Sequence, residues 1–136
     1  MIIHEVYQQQ LHIQKEPFAC GPVAVLNALQ RFEDTALTEE EIVDICKPEP
    51  VPIGCQNEDI VRTCKHVGLE VTEEKVNATI QDIEEQIDRG DKVIVNYFNV
   101  TSNLGHYSVI DSYDEEALYF FDSILGLLRL RKDDFL

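Results

Sequence analysis

Four residues of this sequence have types and spacings suited to acyl transfer: Gln14, Cys20, His106 and Asp122. Cys20 lies in QKEPFACGPVAVLNAL, residues 14–29, at the point where a strongly apolar helix should begin. The unpaired N–H groups and positive dipole end of a helix start favour a thiolate, lowering a cysteine from its free pKa of about 8.5. A thiolate is the nucleophile that carbonyl attack requires. Taken alone, such a cysteine reads equally as a small buried apolar residue.

His106, in NLGHYSVI, is the downstream histidine that changes this balance, because cysteine and histidine distant in sequence can meet across a cleft. The preceding glycine leaves one flank of the imidazole open; the plainer role is a satisfied strand histidine. His4 and His12 precede the cysteine, and His66 is two residues from Cys64, so on a helix those two side chains do not share a face. No asparagine follows His106, so an acid must orient the imidazole and stabilise its charged form. A hairpin about residues 114–116 sets His106 opposite a residue between 122 and 125, which selects Asp122. Asp111 competes but is offset by an odd number along the same strand and so points to the other face, while Asp114, Glu115 and Glu116 read as solvated turn residues. Gln14, six residues before Cys20, supplies a neutral amide that can join the Cys20 N–H in stabilising an oxyanion; by itself it is an ordinary loop glutamine.

The elements that must position these residues are legible in outline. Residues 22–32, PVAVLNALQRF, are apolar on nearly every face except at Asn27, as an enclosed central helix requires, and Pro22 fits the first turn of a helix beginning at Cys20 or Gly21. Thr38 with Glu41 forms a capping box, with Leu37 and Ile42 as its staple, for a second helix that ends before Pro48. Residues 47–56 (KPEPVPIGCQ) read as a loop, after which Asn57 caps a third helix with the stripe Ile60, Val61, Cys64 and Val67, stopped by Gly68. Beyond a short extended piece at 69–72, Thr79 caps a fourth helix carrying Ile80, Ile83 and Ile87. Residues 92–98, 106–113, 117–121 and 127–131 are then β-branched and aromatic with turn-like separators. Helices first and antiparallel strands last predict an α+β fold, with a central helix packed on a C-terminal antiparallel sheet and a cleft where the two meet.

At 136 residues and 44% apolar content, the chain is expected to be a single domain over residues 1–136. A net charge of −15 without a basic block argues against nucleic acid as a partner. The absence of a long apolar run and of a basic-then-apolar N-terminus predicts a cytoplasmic protein with no membrane segment. Four cysteines are too few for a disulfide scaffold. Cys46, Cys55 and Cys64 are spaced nine residues apart, unlike the short pairs of zinc sites, so no metal or other cofactor is expected even with His66 nearby. Cys46 and Cys64 fit the apolar stripes of their helices; Cys55 reads as an accessible loop thiol, with a disulfide open to it in an oxidising compartment.

Gln14, Cys20-Gly21-Pro22 with the helix behind it, Gly105-His106-Tyr107, and Asp122 with Gly126 together resemble the papain-like peptidases that process bacteriocin leaders after a double glycine, and their stand-alone relatives. The likeness runs over residues 14–130 and includes KHVGLEV and DRGDKVIVNYF. It implies a papain-like fold, a peptide or protein substrate, Cys20 as nucleophile, His106 as general base and acid, Asp122 as its orienter and Gln14 as oxyanion donor. In that family the aspartate is commonly followed by proline, where this chain has Ser123, and the peptidases are usually domains of export transporters. QKEPFACG with VLNAL is also similar to phytochelatin synthases, papain-like enzymes that transfer γ-glutamylcysteine between glutathione molecules, although their catalytic domains are longer. The readings in order are therefore a cysteine hydrolase acting on a peptide or isopeptide bond, a γ-glutamylcysteine transpeptidase, and a non-catalytic peptide-binding module.

Overall fold

A computed structural model describes residues 11–49, 54–99 and 104–135, so His4 of the sequence reading lies outside the described residues. The elements run α1 (Cys20–Gln30), α2 (Glu39–Cys46), α3 (Asn57–His66), α4 (Ile80–Asp88), β1 (Val93–Asn99), β2 (Leu104–Tyr113), β3 (Ala117–Asp122), β4 (Gly126–Arg131) and a last short turn of helix, α5 (Lys132–Phe135). Every residue of α1 from Gly21 to Leu29 is buried, as its unbroken apolar sequence demands. Asn27 is no exception to good packing. Its amide oxygen accepts from the His12 N–H at 2.8 Å and its amide nitrogen donates to the His12 carbonyl at 3.1 Å, so a fully buried amide has both ends satisfied and ties residue 12 to the helix.

The capping chemistry explains where the other helices start. Thr38 and Glu41 form the expected reciprocal box at α2, and Thr79 does the same with Asp82 at α4. At α3 the cap is Gln56, boxed with Asp59, and Asn57 is the first helical residue. The displacement has a reason: Asn57 Oδ1 accepts from the Tyr107 hydroxyl at 2.6 Å, which takes its side chain away from the helix end. Helix α1 stops at Gln30, short of the expected Phe32, which is exposed. Residues 69–72 pack Leu69 and Val71 on the core but join no strand.

The sheet is an antiparallel meander in the order β1-β2-β3-β4. Both faces are covered. Val109 and Phe121 face a core with Val25, Leu26, Ile42 and Ile60 from α1, α2 and α3, whereas Ile110, Leu118 and Phe120 face a second cluster with Ile83 of α4 and Phe135 of α5. A bulge falls between Ile110 and Ser112 of β2 against β3. Asp111 sits at that bulge and meets Lys92 Nζ at 3.1 Å. The sheet end nearer His106 abuts the start of α1, and there the candidate residues collect.

Candidate active site

Cys20 is the first residue of α1, capped by Ala19 without any side-chain hydrogen bond and with no carboxylate in the first turn. Nothing on the side-chain level competes for the positive end of this helix. Gly21 seats that end closely: a Cβ there would fall 2.8 Å from Ile60 Cδ1 and 3.0 Å from Cys55 Cβ. The Cys20 sulfur is half-buried and lies within the influence of the His106 side chain and the Tyr107 backbone. Burial pushes its thiol up, but the polar groups of these residues and the positive charge on His106 outweigh burial and leave it below its ordinary value.

His106, nearly buried on β2, faces Tyr97 across the β1 pairing, whose ring meets the imidazole edge-on at 5.7 Å. His106 Nε2 lies 2.8 Å from Asp122 Oδ2, which leaves Nδ1 as the nitrogen toward the sulfur. Burial disfavours the imidazolium, yet the Asp122 hydrogen bond and the Cys20 contact together raise His106 to about 9. Asp122, at the end of β3, is 1% exposed and its other oxygen accepts the N–H groups of Ile124 and Leu125 at 2.9 Å each. Against the cost of burial, these donors and His106 hold the carboxyl at about 2. Each of the three groups thus favours the charged form of its neighbour: carboxylate that of imidazole, and imidazolium that of the thiol. The pairing of Val109 with Phe121 continues to put Asp122 beside Ser108, so it meets His106 diagonally and not directly across.

Gln14 is joined to the residue after that aspartate. Its backbone N–H donates to the Ser123 carbonyl at 2.7 Å, its side-chain oxygen accepts from the Ser123 hydroxyl, and its Nε2 donates to the Glu16 carbonyl at 2.9 Å. Sequence reasoning did not single out Ser123 for any role. It also missed Glu39, which the run of three acidic residues disguises as a solvated helix start. Glu39 is 4% exposed, and its carboxylate accepts from the N–H groups of Lys15 and Glu16 and from His12 Nε2 at 2.8–3.0 Å, holding the segment on either side of Gln14 to α2. Burial raises the Glu39 carboxyl, and these donors more than reverse it.

The remaining candidates are placed elsewhere. Asp114 closes the β2–β3 turn by accepting from the Glu116 and Ala117 N–H groups at 2.8 Å, and the exposed His66 ends α3. Cys55, expected to be accessible, is buried under Gly21, with its sulfur 2.7 Å from that of Cys46. An open depression of about 590 Å³ between α2 and α3, lined by Asp44, Asp59, Arg62 and His66 among others, contains none of Gln14, Cys20, His106 and Asp122. Among the described residues no group of three or more metal-ligating side chains converges, and no helix is long and apolar enough to cross a membrane.

The structure superimposes on the peptidase domain of Streptococcus ComA, a bifunctional ABC transporter involved in quorum sensing, with a TM-score of 0.78 at 20% identity over 93% of this chain and 88% of that one. The fold is papain-like. A double-glycine motif protease from an AMS/PCAT transporter, solved with its leader peptide, is a further neighbour of this papain-like fold, at a TM-score of 0.66 and 16% identity over 92% of this chain and 81% of that one. No protein-family model matches the sequence, and no curated protein is significantly similar to it.

Proposed function

We propose that the protein is a cysteine peptidase in which Cys20 is the nucleophile, His106 the general base and acid, Asp122 the group that orients and charges the imidazole, and Gln14 an oxyanion donor. The observation that carries the reading is the buried imidazole of His106, bonded to the Asp122 carboxylate at 2.8 Å and acting on the Cys20 thiol at the start of α1. The thiolate attacks the carbonyl carbon of a peptide bond, and the oxyanion that forms is received by the Cys20 N–H and the Gln14 amide. His106 gives its proton to the leaving amine, leaving a thioester on Cys20. Water then attacks the thioester, losing a proton to His106, and the acid product leaves.

The two structural neighbours are peptidase domains, one of them solved with its leader peptide, and this supports a peptide as the substrate class. We take the enzyme to work in the cytoplasm on a leader-type peptide cut after small residues. The test is to incubate the protein with peptides carrying a double glycine and with matched peptides in which bulky residues replace it, and to map products by mass spectrometry. Cleavage after the glycines that disappears in Cys20→Ala is expected. Cleavage that survives in Cys20→Ala, or a wild-type protein that cuts no member of a mixed peptide library, overturns the proposal. Cleavage confined to other sequences overturns only the substrate preference.

A further inference from the structure

Two cysteines outside the candidate site lie against each other at its base. Cys46 ends α2, Cys55 immediately precedes the cap of α3, and their sulfurs are 2.7 Å apart, inside van der Waals contact and well short of any separation that leaves room between them. The backbone brings them there by an antiparallel bridge in which the Glu49 N–H donates to the Gly54 carbonyl at 3.0 Å. Cys46 is fully buried and Cys55 nearly so. The surroundings are shared with the site: Cys55 packs under Gly21, beside Cys20, and its carbonyl accepts from the hydroxyl of Tyr107, the neighbour of His106, at 3.3 Å.

The geometry points to Cys46 and Cys55 as a site of reversible oxidation by a hydroperoxide, forming a disulfide that clips the α2–α3 connection to the floor beneath Cys20. A bond of about 2.05 Å needs the sulfurs to close by well under 1 Å, so the disulfide forms without unseating α3 or Gly21. The contact is symmetric in what it allows, since either thiol can donate to the other, so either sulfur can take the oxidant and its partner close the bond. Arg62 donates to the Cys46 carbonyl at 2.7 Å and is itself paired with Asp59 at 2.7 Å, so the two charges offset one another beside the sulfurs. Cys64 is out of this exchange: burial raises its thiol to about 11.

With hydrogen peroxide the chemistry balances. One sulfur of the pair attacks one peroxide oxygen, the O–O bond breaks, and the departing oxygen leaves as water after taking a proton. The other sulfur then displaces the second oxygen from the sulfenic acid, which leaves as a second water. Two thiols lose two electrons and two protons, and the peroxide gains them. Small thiols reverse the process by exchange. In a reducing cytosol the pair rests as two thiols and closes only under oxidative challenge.

The test uses full-length Cys20→Ala, which removes the thiol of the candidate site and makes the result independent of whether the protein is a peptidase. After hydrogen peroxide treatment, the protein is denatured, alkylated with N-ethylmaleimide, digested and analysed by mass spectrometry. The expected product weighs the starting protein plus one N-ethylmaleimide less two hydrogens, is alkylated only at Cys64, and yields a peptide pair joined through Cys46 and Cys55. Dithiothreitol restores all three thiols. Closing so short a loop should also raise the melting temperature by about 5–10 °C, a rise absent in Cys20→Ala/Cys55→Ala. Alkylation of all three cysteines after peroxide, progression to sulfinic acid without a cross-link, or a disulfide that includes Cys64 each overturns the proposal.

Discussion

Replacing Asp122 by asparagine keeps the shape at the end of β3 but removes the charge that faces His106. His106 stands at about 9 against an ordinary value of 6.5, and the Asp122 hydrogen bond is the largest of the influences that raise it. The whole displacement corresponds to about 3 kcal/mol at 1.36 kcal/mol per unit, and because burial works against it, this net value is a floor on what the ion pairs supply. Burial remains when the carboxylate is gone, and burial favours the neutral ring, so in Asp122→Asn the imidazole should fall by about one to two units, on the order of 10- to 100-fold in the charged population. The pH profile of peptide cleavage reads this, because its alkaline limb reports His106. The wild type should lose cleavage as pH rises through about 9; the variant should lose it one to two units earlier, while at pH 6, below both values, the imidazole stays charged in each protein. An alkaline limb that stays near 9 in Asp122→Asn would refute the account of how the imidazole is charged. Stability follows the same linkage. The His106 contribution is complete below about 6.5 and fades as pH rises to about 9, while that of Asp122, at about 2 in the fold, is complete above about 4 and fades below it.

Other consequences can be checked directly. Gly21→Ala puts a methyl 2.8 Å from Ile60 Cδ1 and 3.0 Å from Cys55 Cβ, so urea unfolding should show a loss of about 1–3 kcal/mol, together with slower Cys20 alkylation as the helix start shifts. Ser123→Ala removes the hydroxyl that holds the Gln14 side chain; cleavage should fall several-fold in kcat, and a double-mutant cycle with Gln14→Ala should show strong non-additivity, whereas additive losses would separate the two residues. Glu39→Gln deprives the Lys15 and Glu16 N–H groups and His12 of a charged acceptor, and denaturant titration at neutral pH should find it about 2 kcal/mol less stable. Since the Glu39 carboxyl is lowered in the fold, that difference should shrink as pH falls through its folded value in acid, and a constant difference down to pH 2 would contradict the role given to its charge.

Local chemistry made much of this fold readable. The boxes at Thr38 and Thr79, the proline in the first turn of α1 and the β-rich final third each depend on residues a few positions apart, and each element appears where those signals stand. The His106–Asp122 contact was within reach for the same reason, since one hairpin brings them together. What escaped was set by distant partners. Gln56 and Asn57 are both able to cap, and the choice falls to Tyr107, fifty residues on, which claims Asn57. Glu39 resembles its exposed neighbours until the chain before Cys20 folds onto it, and Cys55 looks accessible until Gly21 is laid over it. The bulge at Asp111 and the four-residue α5 leave no periodic trace in the sequence.

His106 and Asp122, the base and orienter of the proposed mechanism, share a single hairpin, while the Cys20 sulfur belongs to a helix made far earlier in the chain. During translation, Cys20 therefore leaves the ribosome long before any residue that can charge it. A nascent polypeptide of this sequence carries an ordinary cysteine, and reactivity arrives only when β2 and β3 dock against the start of α1. On the proposed mechanism folding is thereby the activation step, and a partly synthesised copy has no charged imidazole beside its sulfur.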